Sequence, residues 1–120
     1  MVESRGVVAI LGVTGRLGPA VARAFQGWEI RGLSRRDFEA GEVTPPLAMF
    51  RKGERSSQAL LGEILEGADV VVDLVCFQMA DAETLLEACR SIRHAPDHLI
   101  FASSAAHLEV EAGGAPDAYA

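Results

Sequence analysis

An apolar run that ends in three regularly spaced glycines is the feature that most restricts the fold of this chain. Residues 7–11 are Val-Val-Ala-Ile-Leu, and Gly12, Gly15 and Gly18 follow. The run is continuous and does not alternate with polar residues, which predicts a strand buried on both faces of a parallel sheet. An amphipathic segment at 16–26 comes next and predicts a helix. The chain therefore begins with a strand, a glycine loop and a helix.

Each glycine of this loop is predicted to have its own role in binding a dinucleotide. Gly12 permits a tight turn, Gly15 lets the backbone approach a pyrophosphate, and Gly18 lets the helix pack closely on the sheet. The unpaired N–H groups at the start of the helix favour phosphate. The alternative is a strand-to-helix turn that binds nothing. The candidate cofactor-binding residues of the loop are Gly12, Thr14, Gly15, Arg16, Leu17 and Gly18.

The composition predicts one globular domain in a reducing compartment. The chain has 120 residues, of which 49% are hydrophobic, and this is enough to bury a core. A net charge of −6 argues against a nucleic-acid or anionic-membrane surface, so local cations must hold any phosphate. Cys76 and Cys89 lie in apolar contexts that predict buried thiols and a cytoplasmic location. No segment has the length of a membrane span, and residues 1–5 lack the features of a signal peptide.

Strand and helix signals alternate along the chain and predict an α/β fold, a Rossmann-like doubly wound parallel sheet. Strands are expected at 7–11, 29–33, 47–51, 68–77 and 98–102, and helices at 16–26, 57–66 and 79–93. The expected strand order is 3-2-1-4-5, which places a ligand at the carboxyl ends of strands 1 and 4. The domain is predicted over residues 1–104, with 105–120 as a loop or tail and the sheet truncated after strand five.

The end of the second strand bears on the choice of cofactor. An NAD site usually has an acidic residue about 20 positions past the glycines, on the ribose 2′-OH. Ser34 stands there instead, and Arg35 and Arg36 follow. Because an arginine binds a 2′-phosphate bidentately, and Arg16 could add a second positive contact, the sequence favours NADP over NAD. Two alternatives stay open: a solvated arginine pair, or Asp37 as the ribose partner.

Four segments together resemble a known family. They are the glycine loop, the arginine turn at 34–36, Gly-Ala-Asp-Val-Val-Val-Asp at 67–73, and Phe-Ala-Ser-Ser-Ala at 101–105. Residues 7–104 resemble the N-terminal half of extended or atypical short-chain dehydrogenases/reductases, the NAD-dependent epimerase/dehydratase group. The Gly-x-x-Gly-x-x-Gly spacing is the form which that family uses.

The resemblance implies further site residues. Glu54, after Gly53, matches an acidic residue near the adenine, although the family has Asp there. Ser104 matches a serine that orients the substrate oxygen, and its alternative is a cap of the following turn. Tyr119 is a candidate for the tyrosine of a Tyr-x-x-x-Lys pair, which exchanges a proton while hydride moves. The segment that lines the cofactor after strand four is matched by Leu74, Val75 and Cys76.

The catalytic pair is incomplete within these 120 residues, because Lys52 is the single lysine and none follows Tyr119. Two hypotheses result. The chain is the cofactor-binding half of an oxidoreductase, epimerase or dehydratase acting on a small carbonyl or sugar-like substrate, or it is a non-catalytic dinucleotide-binding or assembly module. A fifth strand without a sixth beside it would be an unprotected edge, so we expect self-association. The histidines and cysteines do not have a metal-binding spacing.

Overall fold

A five-stranded parallel sheet with helices on both faces forms the fold. The structure is a computed structural model that describes residues 5–39 and 41–102. In chain order the elements are β1 (Val7–Leu11), α1 (Gly18–Ala24), β2 (Glu29–Ser34), β3 (Met49–Lys52), α2 (Gln58–Leu65), β4 (Val70–Asp73), α3 (Met79–Ser91) and β5 (His98–Phe101). The strand order is β3-β2-β1-β4-β5, with every pair parallel. The predicted fold class and strand order are confirmed.

The central strand β1 supplies side chains to two separate cores. Its alternate residues Ala9 and Leu11 pack in a cluster with α2, α3 and β4, whose buried members include Leu61 and Leu85. Val8 and Ile10 point to the other face. Both faces of the strand are therefore buried, which is why its sequence is apolar at every position instead of alternating.

The second core lies under α1 and the loop that leads into β3. Its buried members are Val8, Ile10, Val13, Ala22, Ile30, Val43, Val70 and Val72. Trp28 and Phe25 pack edge to face at its border, with ring centroids 5.1 Å apart. The sheet is thus covered on both sides, as a parallel sheet requires.

The elements α1, β4 and α3 are shorter than the sequence predicts, each for a local reason. Residues 15–17 belong to the turn, so α1 begins at Gly18 and not at position 16. The strand predicted over 68–77 ends at Asp73, because the Asp73 carboxylate accepts the N–H of Val75 and turns the chain. The helix α3 ends at Ser91, two residues before its predicted end, because Ile92 is extended and packs on the core.

Candidate functional site

One cleft lies at the carboxyl ends of β1, β2, β3 and β4, at the edge of the sheet that the sequence predicts. Its volume is about 820 Å³. The predicted binding residues that line it are Gly12, Thr14, Gly15, Ser34, Arg35, Arg36, Glu54 and Val75. The other residues that line it are Leu33, Gly53, Arg55, Phe77, Gln78 and Asp81. The predicted residues Arg16, Leu17, Gly18, Leu74 and Cys76 lie outside this lining.

Gly12 makes the turn that opens the cleft. Its φ of +89° is strained for any residue with a side chain, and a Cβ there would lie 2.9 Å from Cγ1 of Val75. The N–H of Gly12 donates to the carbonyl of Leu33 at 2.8 Å, which ties the turn to the end of β2. The glycine loop, β2 and the segment after β4 therefore meet at this residue.

Gly18 is required by the loop itself. A Cβ at this position would lie 2.0 Å from the carbonyl oxygen of Val13. The sequence attributes this glycine to close packing of the helix on the sheet, whereas the structure shows that the obstacle is backbone of the same loop. Gly15 is less restricted, because its Cβ would meet only the carbonyl oxygen of Gly12, at 3.2 Å.

Backbone donors remain open in this loop. In the part of the chain that the structure describes, the N–H groups of Arg16 and Leu17 have no hydrogen-bond acceptor. The side chains of both residues are exposed. Donors of this kind are the groups that hold phosphate oxygens in glycine loops.

The end of β2 is bound to the glycine loop by two side chains. The hydroxyls of Thr14 and Ser34 share a hydrogen bond. Arg36 donates from Nη2 to the carbonyl of Thr14 at 2.8 Å and to the Glu42 carboxylate at 2.6 Å. The hydrogen bond between Arg36 and Glu42 lowers the pKa of the Glu42 carboxyl and raises the pKa of the Arg36 guanidinium. Arg36 is therefore part of the framework of the cleft.

Arg35 is the cation that the framework leaves free. It is exposed, lines the cleft and has no ion pair or hydrogen bond among residues 5–39 and 41–102. Asp37, the alternative ribose partner, is not part of the lining and accepts a hydrogen bond from Lys52 at 3.2 Å. The two adjacent arginines thus have different surroundings, which the sequence does not distinguish.

A buried ion pair beside the cleft is absent from the sequence-based prediction. Nη2 of Arg55 lies 2.5 Å from the carboxylate of Asp73, whose side chain is fully buried. The carboxylate of Asp73 also accepts the N–H of Val75 at 3.1 Å, so both an ion pair and a backbone hydrogen bond compensate its burial. The signal for a partner was a carboxylate inside the apolar run 70–75, since such a group needs a partner.

The segment after β4 forms one wall of the cleft through Val75, Phe77 and Gln78. Leu74 packs into the core instead. Cys76 is half-buried rather than buried as predicted, and burial raises the pKa of its thiol. Cys89, on α3, is also half-buried and its thiol pKa is raised by burial as well.

The predicted catalytic residues Ser104 and Tyr119 lie outside the described residues. Over residues 5–39 and 41–102, no group of three or more His, Cys, Asp or Glu side chains is placed to hold a metal ion. The same residues contain no helix long and apolar enough to cross a membrane.

Solved structures share this fold. A wide-type short-chain dehydrogenase/reductase from Veillonella parvula, in complex with NADP, matches 88% of this chain with a TM-score of 0.66 and 18% identity. Vestitone reductase from alfalfa matches 87% with a TM-score of 0.67 and 18% identity. A nucleoside-diphosphate-sugar epimerase from Pseudomonas aeruginosa matches 85% with a TM-score of 0.66 and 25% identity. No protein-family model matches the chain, and neither does any curated protein.

The chain has the Rossmann-like fold that these short-chain dehydrogenases/reductases and epimerases share. It spans half or less of their length: 50% of the Veillonella enzyme, 38% of vestitone reductase and 34% of the epimerase. The resemblance read from the sequence is confirmed at the level of the fold.

Proposed function

We propose that this chain binds a nicotinamide dinucleotide in the cleft, with NADP preferred over NAD, and that it is the cofactor-binding part of a short-chain-type oxidoreductase, epimerase or dehydratase. The observation that carries the proposal is the convergence of four chain segments on one cleft, at the place where the strand order reverses. In open α/β sheets, ligands bind at this switch point.

The residues of the cleft fit a dinucleotide. Gly12 and Gly15 leave the floor of the cleft without side chains, so backbone can approach a pyrophosphate. The open N–H groups of Arg16 and Leu17, which follow Gly15 and lie outside the lining itself, are the proposed donors for its oxygens. Of the solved structures with this fold, one is described in complex with NADP and another, a uronate dehydrogenase from Agrobacterium tumefaciens, with NAD.

Arg35 supports NADP as the preferred form. It is a cation without a partner in the described part of the chain, at the end of β2, where the adenosine ribose binds in folds of this type. A guanidinium binds a phosphate through two parallel hydrogen bonds. The 2′-phosphate of NADP supplies the partner that Arg35 lacks, and the ribose 2′-OH of NAD does not.

The residues of the cleft have separate proposed roles. A bound nicotinamide dinucleotide supplies a hydride donor or acceptor. The glycine loop holds the pyrophosphate, Arg35 binds the 2′-phosphate, and Glu54 lies on the adenine side. Ser104 and Tyr119 remain the proposed substrate-orienting and proton-exchanging residues, on the family resemblance.

Titration calorimetry of the full chain with NADP and with NAD tests the binding proposal. We expect heat with both and tighter binding of NADP. Gly15→Val should abolish binding, because its side chain would occupy the floor of the cleft. A Cβ at this position would lie 3.2 Å from the carbonyl oxygen of Gly12, so thermal unfolding of the variant is measured alongside to show that it remains folded. Gly62→Ala, on α2, is the matched control. No heat with either dinucleotide overturns the proposal.

Two broader properties are also proposed. A cytoplasmic location is supported by Cys76 and Cys89, which are both free thiols. Self-association through β5 is supported by its position at the edge of the sheet in the described part of the chain. The substrate class, a small carbonyl or sugar-like compound, depends on the family resemblance.

A further inference from the structure

A single guanidinium joins three segments beside the cleft. Arg55 lies in the loop between β3 and α2, and its side chain is only 10% exposed. Its Nη2 pairs with Asp73 at the end of β4, and its Nη1 lies 3.5 Å from Oδ1 of Asp81 in the first turn of α3. We call these three residues the Arg55 bridge. No other ion pair in the described part of the chain has a partner that is fully buried.

Both carboxylates of the Arg55 bridge also hold backbone of the segment 75–78, which contributes Val75, Phe77 and Gln78 to the cleft lining. Oδ1 of Asp73 accepts the N–H of Val75 at 3.1 Å. Oδ2 of Asp81 accepts the N–H groups of Phe77 and Gln78 at 2.8 and 3.2 Å. Arg55 therefore connects two lining segments of the cleft, the β3–α2 loop and the segment 75–78, which we call its two walls.

The bridge also reaches the glycine loop. Asp73 holds the N–H of Val75, and the side chain of Val75 packs against Gly12. A Cβ on Gly12 would lie 2.9 Å from Cγ1 of Val75. A shift of Asp73 would move Val75 relative to the turn that opens the cleft. The bridge thus sets the position of one wall against the floor.

The ion pair is poorly arranged for stabilising the fold. Nε of Arg55 is buried without a hydrogen-bond partner among the described residues, and Nη1 makes only the ion pair with Asp81 at 3.5 Å. A buried donor without an acceptor costs stability, and a buried ion pair often stabilises no better than apolar side chains of the same size. The geometry of the cleft accounts for the arrangement better than fold stability does.

We propose that Arg55 is a positioning residue of the cleft: with Asp73 and Asp81 it fixes the distance between the two walls, and dinucleotide affinity depends on that distance. The inference rests on the proposed dinucleotide function for its ligand. The effect on the walls themselves is independent of any ligand.

Amide hydrogen exchange of the full chain without ligand tests the bridge. In Arg55→Gln, exchange of the Val75, Phe77 and Gln78 amides should rise by about tenfold or more, because their carboxylate acceptors lose their anchor. The matched control is Arg51→Gln on β3, which breaks the exposed pair of Arg51 with Glu63 of α2. It should change those amides by less than about twofold. Unchanged exchange in Arg55→Gln overturns the bridge, whatever the chain binds.

Calorimetry with NADP tests the consequence for binding. Arg55→Gln should lower NADP affinity by about tenfold, and Arg51→Gln should not. Binding by Arg55→Gln that equals the wild type overturns the inference and leaves the proposed function intact. Absence of binding by the wild type overturns the proposed function, and the exchange measurement still decides on the bridge.

A double variant separates positioning from fold stability if the single change unfolds the chain. Arg55→Met with Asp73→Asn removes the uncompensated buried carboxylate and keeps an acceptor for the Val75 N–H, so thermal stability should recover relative to Arg55→Met alone. NADP affinity should stay low by about tenfold, because the connection between the walls is still missing. Recovery of stability and affinity together would show a purely structural pair and would overturn the inference.

Discussion

Arg36 donates a hydrogen bond of 2.8 Å from Nη2 to the carbonyl oxygen of Thr14, and this bond fastens the end of β2 to the glycine loop. The same guanidinium is paired with Glu42. Arg36 therefore has its partners within the protein, whereas the adjacent Arg35 has none among the described residues. The two arginines should respond differently to substitution.

Arg35→Gln is expected to lower NADP affinity by about tenfold, the usual worth of a charge-assisted hydrogen bond, and to leave NAD affinity nearly unchanged. The reason is that only NADP carries the 2′-phosphate that Arg35 is proposed to bind. Titration calorimetry with both cofactors measures the ratio. Arg23→Gln, which removes an exposed arginine of α1, is the control and should leave both affinities unaltered. Equal losses for NADP and NAD would exclude this role.

Arg36→Gln is expected to weaken NADP and NAD to a similar degree. The substitution removes the anchor between Thr14 and the end of β2, and the glycine loop serves the part that both cofactors have in common. Titration calorimetry of the variant with NADP and with NAD measures both affinities. A loss confined to NADP would show that Arg36 itself binds the 2′-phosphate.

Gly18→Ala is expected to destabilise the fold by about 3 kcal/mol, because the new methyl group would overlap the carbonyl oxygen of Val13. Gly62→Ala is the opposite case: in α2 its methyl group would meet Ile92 at 3.8 Å, an ordinary contact. That change should stabilise by about 0.5–1 kcal/mol. Urea unfolding of each variant and of the wild type measures the change in the free energy of unfolding, which should fall for Gly18→Ala and rise for Gly62→Ala. Comparable stability of the two variants would contradict the steric argument.

Glu66 should make the fold sensitive to acid. Its carboxylate accepts the N–H groups of His94 and Arg93 at 2.7 and 3.1 Å, and these bonds lower its pKa below the ordinary value of 4.5. A lowered pKa in the folded state adds stability above pH 4.5, which is lost as the pH falls through the folded-state value. Glu66→Gln should therefore reduce the loss of stability between neutral pH and pH 3.

Chemical unfolding at a series of pH values measures this dependence. Glu83→Gln, at an exposed position of α3, is the control and should follow the wild type. An unchanged acid dependence in Glu66→Gln would refute the assignment.

Self-association through β5 is a prediction that ultracentrifugation can test. In the part of the chain that the structure describes, β5 pairs with β4 on one side only, and Ile100 and Phe101 are 47% and 45% exposed. Edge strands with apolar side chains pair with further strands. We expect dimers or larger species at high concentration, reduced by Ile100→Lys. A monomer throughout the concentration series would argue against the prediction.

The sequence predicts the framework well because the framework depends on local patterns. The run 7–11 is apolar at every position since both faces of β1 are buried, and the strand order follows from alternating strands and helices. Gly12 takes the positive φ that its place in the motif indicates. Each of these features can be predicted from residues that are close together in the sequence.

Contacts between distant residues were harder to predict. Arg55 and Asp73 are 18 positions apart in sequence, and nothing in either segment alone indicates that they pair. Arg35 and Arg36 are adjacent and chemically identical, and they differ only because Glu42 and Thr14 reach one of them. The choice of partner depends on the packed fold, which is why sequence patterns predict where the cleft lies and not how its charges are arranged.

The place of β1 at the centre of the sheet affects how the chain is made. The N–H of Val7 donates to the carboxylate of Asp69, 62 positions later, and β4 follows directly. At roughly 5–20 residues per second, a ribosome needs roughly 3–12 s to make the stretch between them. For that interval the most apolar strand of the nascent protein lacks one of its two neighbours. Any need for a chaperone during synthesis should therefore arise from the exposed apolar residues of β1 more than from those of a later strand.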